Sequence, residues 1–324
     1  MKSNYKPPFK ISSKSINLIA EISAQIERYV IRMEQDDGLL LRRINRIKTI
    51  HSSLAIEGNT IPENLITDII EGKHIVAPPR EIQEVKNAIK TYDAFSSLDP
   101  YSVKDLLKAH SLMMDALVEN AGHFRPGGVG VFAGDKVIHV APPAERVPYL
   151  INDLFDWLKK SDDHLLIKSC VFHYEFEFIH PFTDGNGRLG RLWQSLILSK
   201  LHPIFEFLPV ENMVFKNQQQ YYEAINQSTV TVDCGIFIEF MLYEILATLK
   251  NRQGEPHKND TVNGTLNDTV KLIKENPKIT IDELAHKLDK SRRTITRYIK
   301  KLQEDGIILR IGSDKSGYWQ VNNE

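Results

Sequence analysis

Cysteine is scarce in this sequence. Cys170 and Cys234 are the only two, too few for a disulfide scaffold and without the spacing of a metal site. An excess of one charge is also missing. Lys and Arg number 41 against 42 Asp and Glu, a net −1 that excludes a chain-wide basic footprint for nucleic acid but not a local one. No run of about 18 apolar residues occurs, so nothing reads as a membrane span. The opening stretch, MKSNYKPPFKISSKS, is polar and lacks the apolar core of a signal peptide. These absences predict a cytoplasmic protein with no membrane partner. Internal repeats and low-complexity tracts are lacking too. What is present is ordinary globular composition, 42% hydrophobic and 26% charged, in 324 residues, too long for one typical core.

The first hundred or so residues read as helix. Ile19, Ile22, Ile26, Tyr29 and Met33 recur at spacings of three and four, one apolar stripe. Leu40, Ile44, Ile47 and Leu54 continue it, and Gly58-Asn59 supplies a stop. Thr60-Ile-Pro-Glu63 matches a capping box that opens another helix. Ile82, Val85, Ile89 and Tyr92 form a third stripe behind Pro78-Pro79. Residues 122–143 change character: glycines and prolines bracket two β-prone runs, 129–132 and 136–140, with Ala133-Gly134-Asp135 as a hairpin loop. Helical spacing resumes at Val147, Leu150, Leu154 and Leu158. Near residue 251 apolar content collapses into NRQGEPHKNDTVNGTLND, a linker by composition. The predicted organisation is a helical region 1–100, a core 101–250, a linker 251–266 and a small unit 267–324.

HPFTDGNGRLGRL, residues 180–192, contains G-x-G-x-x-G at Gly185, Gly187 and Gly190. A dinucleotide fold is one reading. VFHYEFEFI, residues 171–179, alternates like a strand, and Glu206 lies about where that fingerprint wants an acid. Three features oppose it. Asp184 would repel a bare pyrophosphate unless a divalent cation lay between them. Arg188 and Arg191 sit at the start of a helix, against its dipole, a placement that costs a few tenths to ~1 kcal/mol until a polyanion reverses the sign. No β-α-β scaffold surrounds the motif. The residues fit a polyphosphate with its metal better. Gly185-Asn186-Gly187 can turn backbone N–H groups inward at a helix N-terminus, Asp184 can hold Mg²⁺, and His180 can serve as general base.

The run from His180 to Arg191 resembles the signature of the Fic family, H-P-F-x-[DE]-G-N-G-R-x-x-R, at every position. The resemblance implies a mainly α fold, a helical core with the motif in a loop between two helices and a short β-hairpin flap. Residues 171–179 then become a buried helix instead of a strand. It implies AMP transfer from ATP to a Ser, Thr or Tyr hydroxyl of a target protein, or of the chain itself, with release of pyrophosphate. His180 would be the base and Asp184 the Mg²⁺ ligand. Gly185, Asn186, Gly187, Arg188, Leu189, Gly190 and Arg191 would bind ATP, and Phe182 would anchor the loop. Tyr221-Tyr222 resembles the tyrosine pair near the nucleotide base in relatives, Tyr222 being the residue assigned to it. The hairpin resembles the family's target-docking flap, with Val137, Ile138 and His139 as the docking residues, by strand addition.

HSSLAIEGNT, residues 51–60, carries a second signal. Ser53 and Glu57 are one turn apart and Gly58 ends the helix, so Glu57 falls where the dipole disfavours an anion. A misplaced carboxylate points to a cationic partner elsewhere. The stretch resembles the family's inhibitory motif, [ST]-x-x-x-E-[GN]. The resemblance implies that Glu57 pairs with Arg191 and blocks the productive pose of ATP, or that Glu57 aligns water for AMP removal.

Residues 269–321 read as three helices and a β pair, which resembles a winged helix-turn-helix. Thr280-Ile-Asp-Glu283 caps the second helix; the third starts at Ser291 and carries Arg292, Arg293, Arg297, Lys300 and Lys301. Arg292, Arg293 and Arg297 are the candidate DNA contacts, with protein contact or homodimer formation as the other use of such a unit. Three readings compete at this point: an autoinhibited adenylyltransferase, a nucleotide-sensing DNA-binding regulator, and a transferase of phosphate or phosphocholine on the same fold, which the complete G-N-G-R-x-x-R opposes. An intact His180 favours the first over the second.

Overall fold

The computed structural model describes residues 5–35, 38–133, 136–251, 269–270, 272–274, 276–288, 292–304, 307–312 and 317–321. The chain divides into two compact units, Met1–Gln253 and Gly254–Glu324. The larger is helical. In chain order it contains α1 (Ser13–Gln35), α2 (Gly38–Ile56), α3 (Glu63–Ile70), α4 (Pro79–Asp93) and α5 (Val103–Met113). Then come a hairpin of β1 (Gly130–Ala133) and β2 (Lys136–Val140), and α6 (Val147–Lys160), α7 (Leu165–Ile179), α8 (Asn186–Ser199), α9 (Val210–Lys216), α10 (Gln218–Thr231) and α11 (Gly235–Asn251). No helix among the described residues is long and apolar enough to cross a membrane.

Helix α7 is the axis of this unit. It is buried on nearly every face, the condition of a helix at the centre of a core. Its HYEFEF stretch imitates a strand's in-and-out pattern because its polar residues face other helices and the N-terminal segment instead of water. His173 bonds Gln194 and Tyr221, Glu175 accepts from Tyr5 at 2.6 Å, and Glu177 turns towards His180. Helix α8 returns along α7, with Leu189, Leu192, Trp193 and Leu196 buried.

Helix α2 ends as its sequence predicts. Gly58, at φ +91°, donates to Ala55 O, and Asn59 N donates to Leu54 O, the paired closing bonds that a left-handed glycine allows. The next expectation fails. Thr60 does not cap with Glu63: α3 begins after Pro62, whose extended backbone takes the cap position without a side-chain bond. Pro62 moves the helix start two residues past Thr60, and the Thr60 hydroxyl donates to Glu81 on α4 at 2.8 Å. Of the first stripe, Ile22, Ile26 and Tyr29 are buried; the side chains of Met33 and Leu40 lie outside the described residues.

The smaller unit has its own core of Ile273, Ile279, Leu284, Ile295, Tyr298, Ile299, Leu302, Ile308 and Trp319. The predicted capping box is present at Thr280 and Glu283 and opens the helix Ile281–Lys287. The helix Arg292–Glu304 follows, then β3 (Ile308–Ile311) and β4 (Tyr318–Val321), which pair antiparallel as a wing.

Candidate active site

His180 ends α7 in the left-handed region, at φ 49° and ψ 63°. A non-glycine residue there carries strain of order 1–3 kcal/mol unless its surroundings hold it. They do. His180 N donates to Phe176 O at 2.9 Å, and the buried Arg125 guanidinium donates to His180 O at 2.7 Å. Arg125 also bonds Gly127 O and Pro142 O, at either foot of the hairpin. One side chain thus fixes the turn at the imidazole relative to the flap.

The loop after His180 closes on itself. The Asn186 side chain accepts from Phe182 N and donates to Phe182 O, both at 2.9 Å. Phe182 is fully buried and stacks on His110 at 3.7 Å between centroids, only 8° from parallel. His110 Nδ1 accepts from Gly122 N, so its proton sits on Nε2 and is donated to Asp184 O at 3.1 Å. Burial pushes the His110 pKa down to about 4, which keeps it neutral and in that tautomer. Gly185 then takes φ +84°, where a Cβ would come within 2.6 Å of Met114 Sδ. Only glycine fits this point, and it starts α8.

Asp184, Arg188 and Arg191 gather at that helix N-terminus. Asp184 Oδ1 accepts from Arg188 at 3.0 Å and from Gly185 N at 2.6 Å, and Oδ2 from Arg80 at 3.4 Å. Arg188 is buried, 4.0 Å from Glu84. Its Nε has no hydrogen-bond partner among the described residues. A buried donor left unmatched costs about 1–3 kcal/mol, and an arriving anion would satisfy it. No group of three His, Cys, Asp or Glu among the described residues could enclose a metal by itself. A Mg²⁺ ion at Asp184 would therefore have to be held mainly by substrate phosphates.

Arg191, 3% exposed, donates to Glu57 Oε1 at 2.7 Å, to Ser53 O at 2.9 Å and to Ser53 Oγ at 3.3 Å. Burial works against its charge, and Glu57, together with Tyr221 and Glu177, more than restores it, so the guanidinium pKa lies above its ordinary range. A Cβ on Gly187 would collide with Glu57 Oε1. The Glu57 carboxylate therefore lies across the first turn of α8, whose N–H groups lack intrahelical acceptors, in the place an anionic ligand would take. Gln218 donates to Ile56 O at 3.1 Å and to Tyr222 Oη at 3.4 Å, which ties the end of α2 to α10. Tyr222 is 41% exposed and meets the buried Tyr221 edge-on at 5.3 Å.

Most of the residues singled out from the sequence converge here: His180, Asp184, Gly185, Asn186, Gly187, Arg188, Arg191, Tyr222, Ser53 and Glu57. Leu189 and Gly190 turn away. The Leu189 side chain is fully buried, and Gly190 lies against α7, where a Cβ would come within 2.9 Å of Glu177 and 3.3 Å of Phe176. Their side-chain positions serve packing instead of ligand contact. In the flap, Val137 pairs with Phe132 and His139 with Val131, and a bulge places Ile138 opposite the step between them; the side chains of all three lie outside the described residues. In the smaller unit Arg292 pairs with Asp282, Arg297 is exposed and lies 5.7 Å over Tyr298, and the Arg293 side chain is outside the described residues. Sequence reading missed Arg80, His110, Arg125 and Glu177. Arg125 was the most findable, as an arginine inside a Gly/Pro-rich turn. The others are set by contacts between distant helices.

Residues 98–198 match the family model described as Fic/DOC family, and residues 264–308 match one described as winged helix-turn-helix DNA-binding. A protein adenylyltransferase Fic of Nematostella vectensis is 32% identical over 202 residues, 59% of this chain and 45% of that protein. Protein adenylyltransferase fic-1 of Caenorhabditis elegans is 30% identical over 222 residues, covering 63% and 41%. The chain thus spans under half the length of these curated relatives. The crystal structure of a Fic family protein from Desulfovibrio desulfuricans G20 superposes with a TM-score of 0.74 at 39% identity, over 99% of both chains. With identity of that degree along its whole length, the chain belongs to the Fic family.

Proposed function

We propose that the chain is an autoinhibited protein adenylyltransferase, which moves AMP from ATP to a hydroxyl of a target protein or of itself. The observation that supports this most is the meeting, at one helix N-terminus, of an imidazole, a carboxylate and two buried guanidiniums. Relatives named as protein adenylyltransferases support it as well.

His180 takes the proton of the target hydroxyl as its oxygen attacks the α-phosphorus; the bond from that phosphorus to the β-bridging oxygen breaks and pyrophosphate leaves. Arg188, Arg191 and the first N–H groups of α8 balance charge on the phosphates, the largest kind of contribution in such transfers. Asp184 would hold Mg²⁺, which when bound neutralises phosphate charge. Arg80 and Arg188 occupy Asp184 in this structure and would exchange that carboxylate for phosphate oxygens. Glu57, on Arg191, supplies the inhibition.

Transfer of the adenylyl group predicts which atom of ATP stays on protein. The Glu57→Gly variant incubated with ATP labelled at the α-phosphate should acquire label, and with ATP labelled at the γ-phosphate should not. Retention of γ-label would replace this reading with phosphate transfer.

The smaller unit is proposed to bind duplex DNA through the helix Arg292–Glu304, on the strength of its family match and of Arg297 and Lys300 on its exposed side. In gel shifts the full chain should retard DNA in a salt-sensitive way, and Arg297→Ala should weaken binding by about 1–3 kcal/mol. No shift at low salt would leave the unit as a protein-contact module.

A further inference from the structure

Glu177 is a half-buried carboxyl, with its Oε1 enclosed, that the mechanism above does not use. It sits one turn before His180 on α7, with its Oε2 3.9 Å from His180 Nδ1, and its side chain is 14% exposed. Its other oxygen, Oε1, has no hydrogen-bond partner among the described residues. His173 Nε2 lies 3.9 Å from Oε1 but cannot supply a proton: His173 Nδ1 donates to Gln194 at 2.6 Å, which leaves Nε2 to accept from Tyr221 at 3.0 Å. Burial holds His173 neutral, with its pKa pushed down to about 4. Gly190 brings α8 close against the carboxyl, with no room for a side chain between.

A carboxyl with an unmatched oxygen is a costly way to fill a core. The imidazole beside it gives the residue a use. His180 Nδ1 is buried while the side chain as a whole is 20% exposed, so Nδ1 faces inward and Nε2 is the nitrogen that can meet a substrate. We propose that Glu177 is a positioning residue for His180, one whose charge, 3.9 Å from Nδ1 and beyond hydrogen-bond length, favours the proton on that nitrogen, leaves Nε2 as the base, and offsets the positive charge of the imidazole after it accepts the target's proton. This deepens the adenylyl-transfer reading and rests on it.

The charges around Glu177 set its own state. Burial pushes its pKa up to about 7, Glu57 adds to the rise, and Arg191 opposes it. His173 and His180 face it from its own helix, Arg191 from α8, Glu57 from α2, and Tyr221 and Tyr222 from α10. Near neutral pH it is therefore partly ionised, and its ionisation rises as the medium becomes more alkaline.

The test uses the full chain with Glu57→Gly, compared with the same chain carrying Glu177→Gln or Glu177→Asp. Glu177→Gln should lower kcat about tenfold with the KM for ATP within about twofold. Loss of a neighbouring negative charge makes the imidazolium less favourable, so the acidic limb of the pH profile should move to lower pH by about one unit. Glu177→Asp, which keeps the charge, should recover part of both effects. Equal behaviour of the Gln and Asp variants, or an unmoved limb in both, overturns the proposal. Nitrogen NMR of the ligand-free chain with labelled histidine reads the same inference without catalysis. The proton of His180 should sit on Nδ1 in the parent and lose that preference in Glu177→Gln. A parent with the proton on Nε2 overturns the positioning role. A parent that transfers no AMP but shows the Nδ1 proton instead overturns the enzyme reading.

Discussion

Glu57→Gly should raise the rate of AMP incorporation by about ten- to a hundredfold, because removal of this carboxylate frees both Arg191 and the first turn of α8. A charge-assisted hydrogen bond contributes about 1.5–3 kcal/mol, and each 1.4 kcal/mol is a factor of ten. The Glu57 side chain is 35% exposed, so water already shields part of the pair, and the lower half of that range is the better expectation. Arg191 keeps its two bonds to Ser53, so the freed guanidinium stays aimed at the loop instead of folding away. Its burial also predicts a thermodynamic signature. A buried cation that has lost its carboxylate destabilises the fold, and a ligand that binds only the folded state restores stability by mass action. The variant should melt below wild type by a few degrees and should gain more than wild type from ATP. Glu57→Gln, which keeps the shape and drops the charge, should fall between the two in rate. Label incorporation that is equal in wild type, Glu57→Gln and Glu57→Gly would remove the inhibitory role.

The site was legible in the sequence to the extent that it is local. The loop from His180 to Arg191 is contiguous, its glycines answer to backbone geometry, and the placement of Arg188 and Arg191 against a helix dipole is visible without coordinates. Glu57 could be found for the same reason, since an anion at the end of a helix is out of place by itself. Residues that act through distant contacts left no such trace. His110 orients Asp184 from α5, Arg80 reaches it from α4, and Arg125 holds the backbone of His180 from the turn before the flap. The chain neighbours of His110 and Arg80 give no sign of this, and those of Arg125 show only a Gly/Pro-rich turn. Residues 171–179 show the opposite error. Alternating polar and apolar residues normally mean one wet face, but in α7 His173 and Glu175 are bonded internally and Glu177 faces His180, so the period is an accident of where three polar side chains pack. Thr60 failed for a smaller reason: a cap needs the right backbone as well as the right hydroxyl, and Pro62 supplied that backbone two residues later.

His180→Ala, placed in the Glu57→Gly chain, should lower AMP incorporation about 10²–10⁴-fold, the usual contribution of a positioned general base, while the affinity for ATP changes by less than about twofold. The separation follows from the geometry. The groups proposed to bind the phosphates lie on α8, beyond Gly185, and the loop before them is held by Asn186, Phe182 and His110 without help from the His180 imidazole. The bond that fixes the turn runs from Arg125 to the carbonyl of residue 180, which alanine retains. Alanine does lack any local preference for the left-handed region, and asparagine has one, so His180→Asn is the stricter control for the backbone at φ 49°. Both variants should bind ATP in calorimetry as the parent does and fail to transfer AMP. If either loses ATP affinity in step with activity, the residue shapes the loop instead of moving a proton. If either retains the parent's rate, the base lies elsewhere.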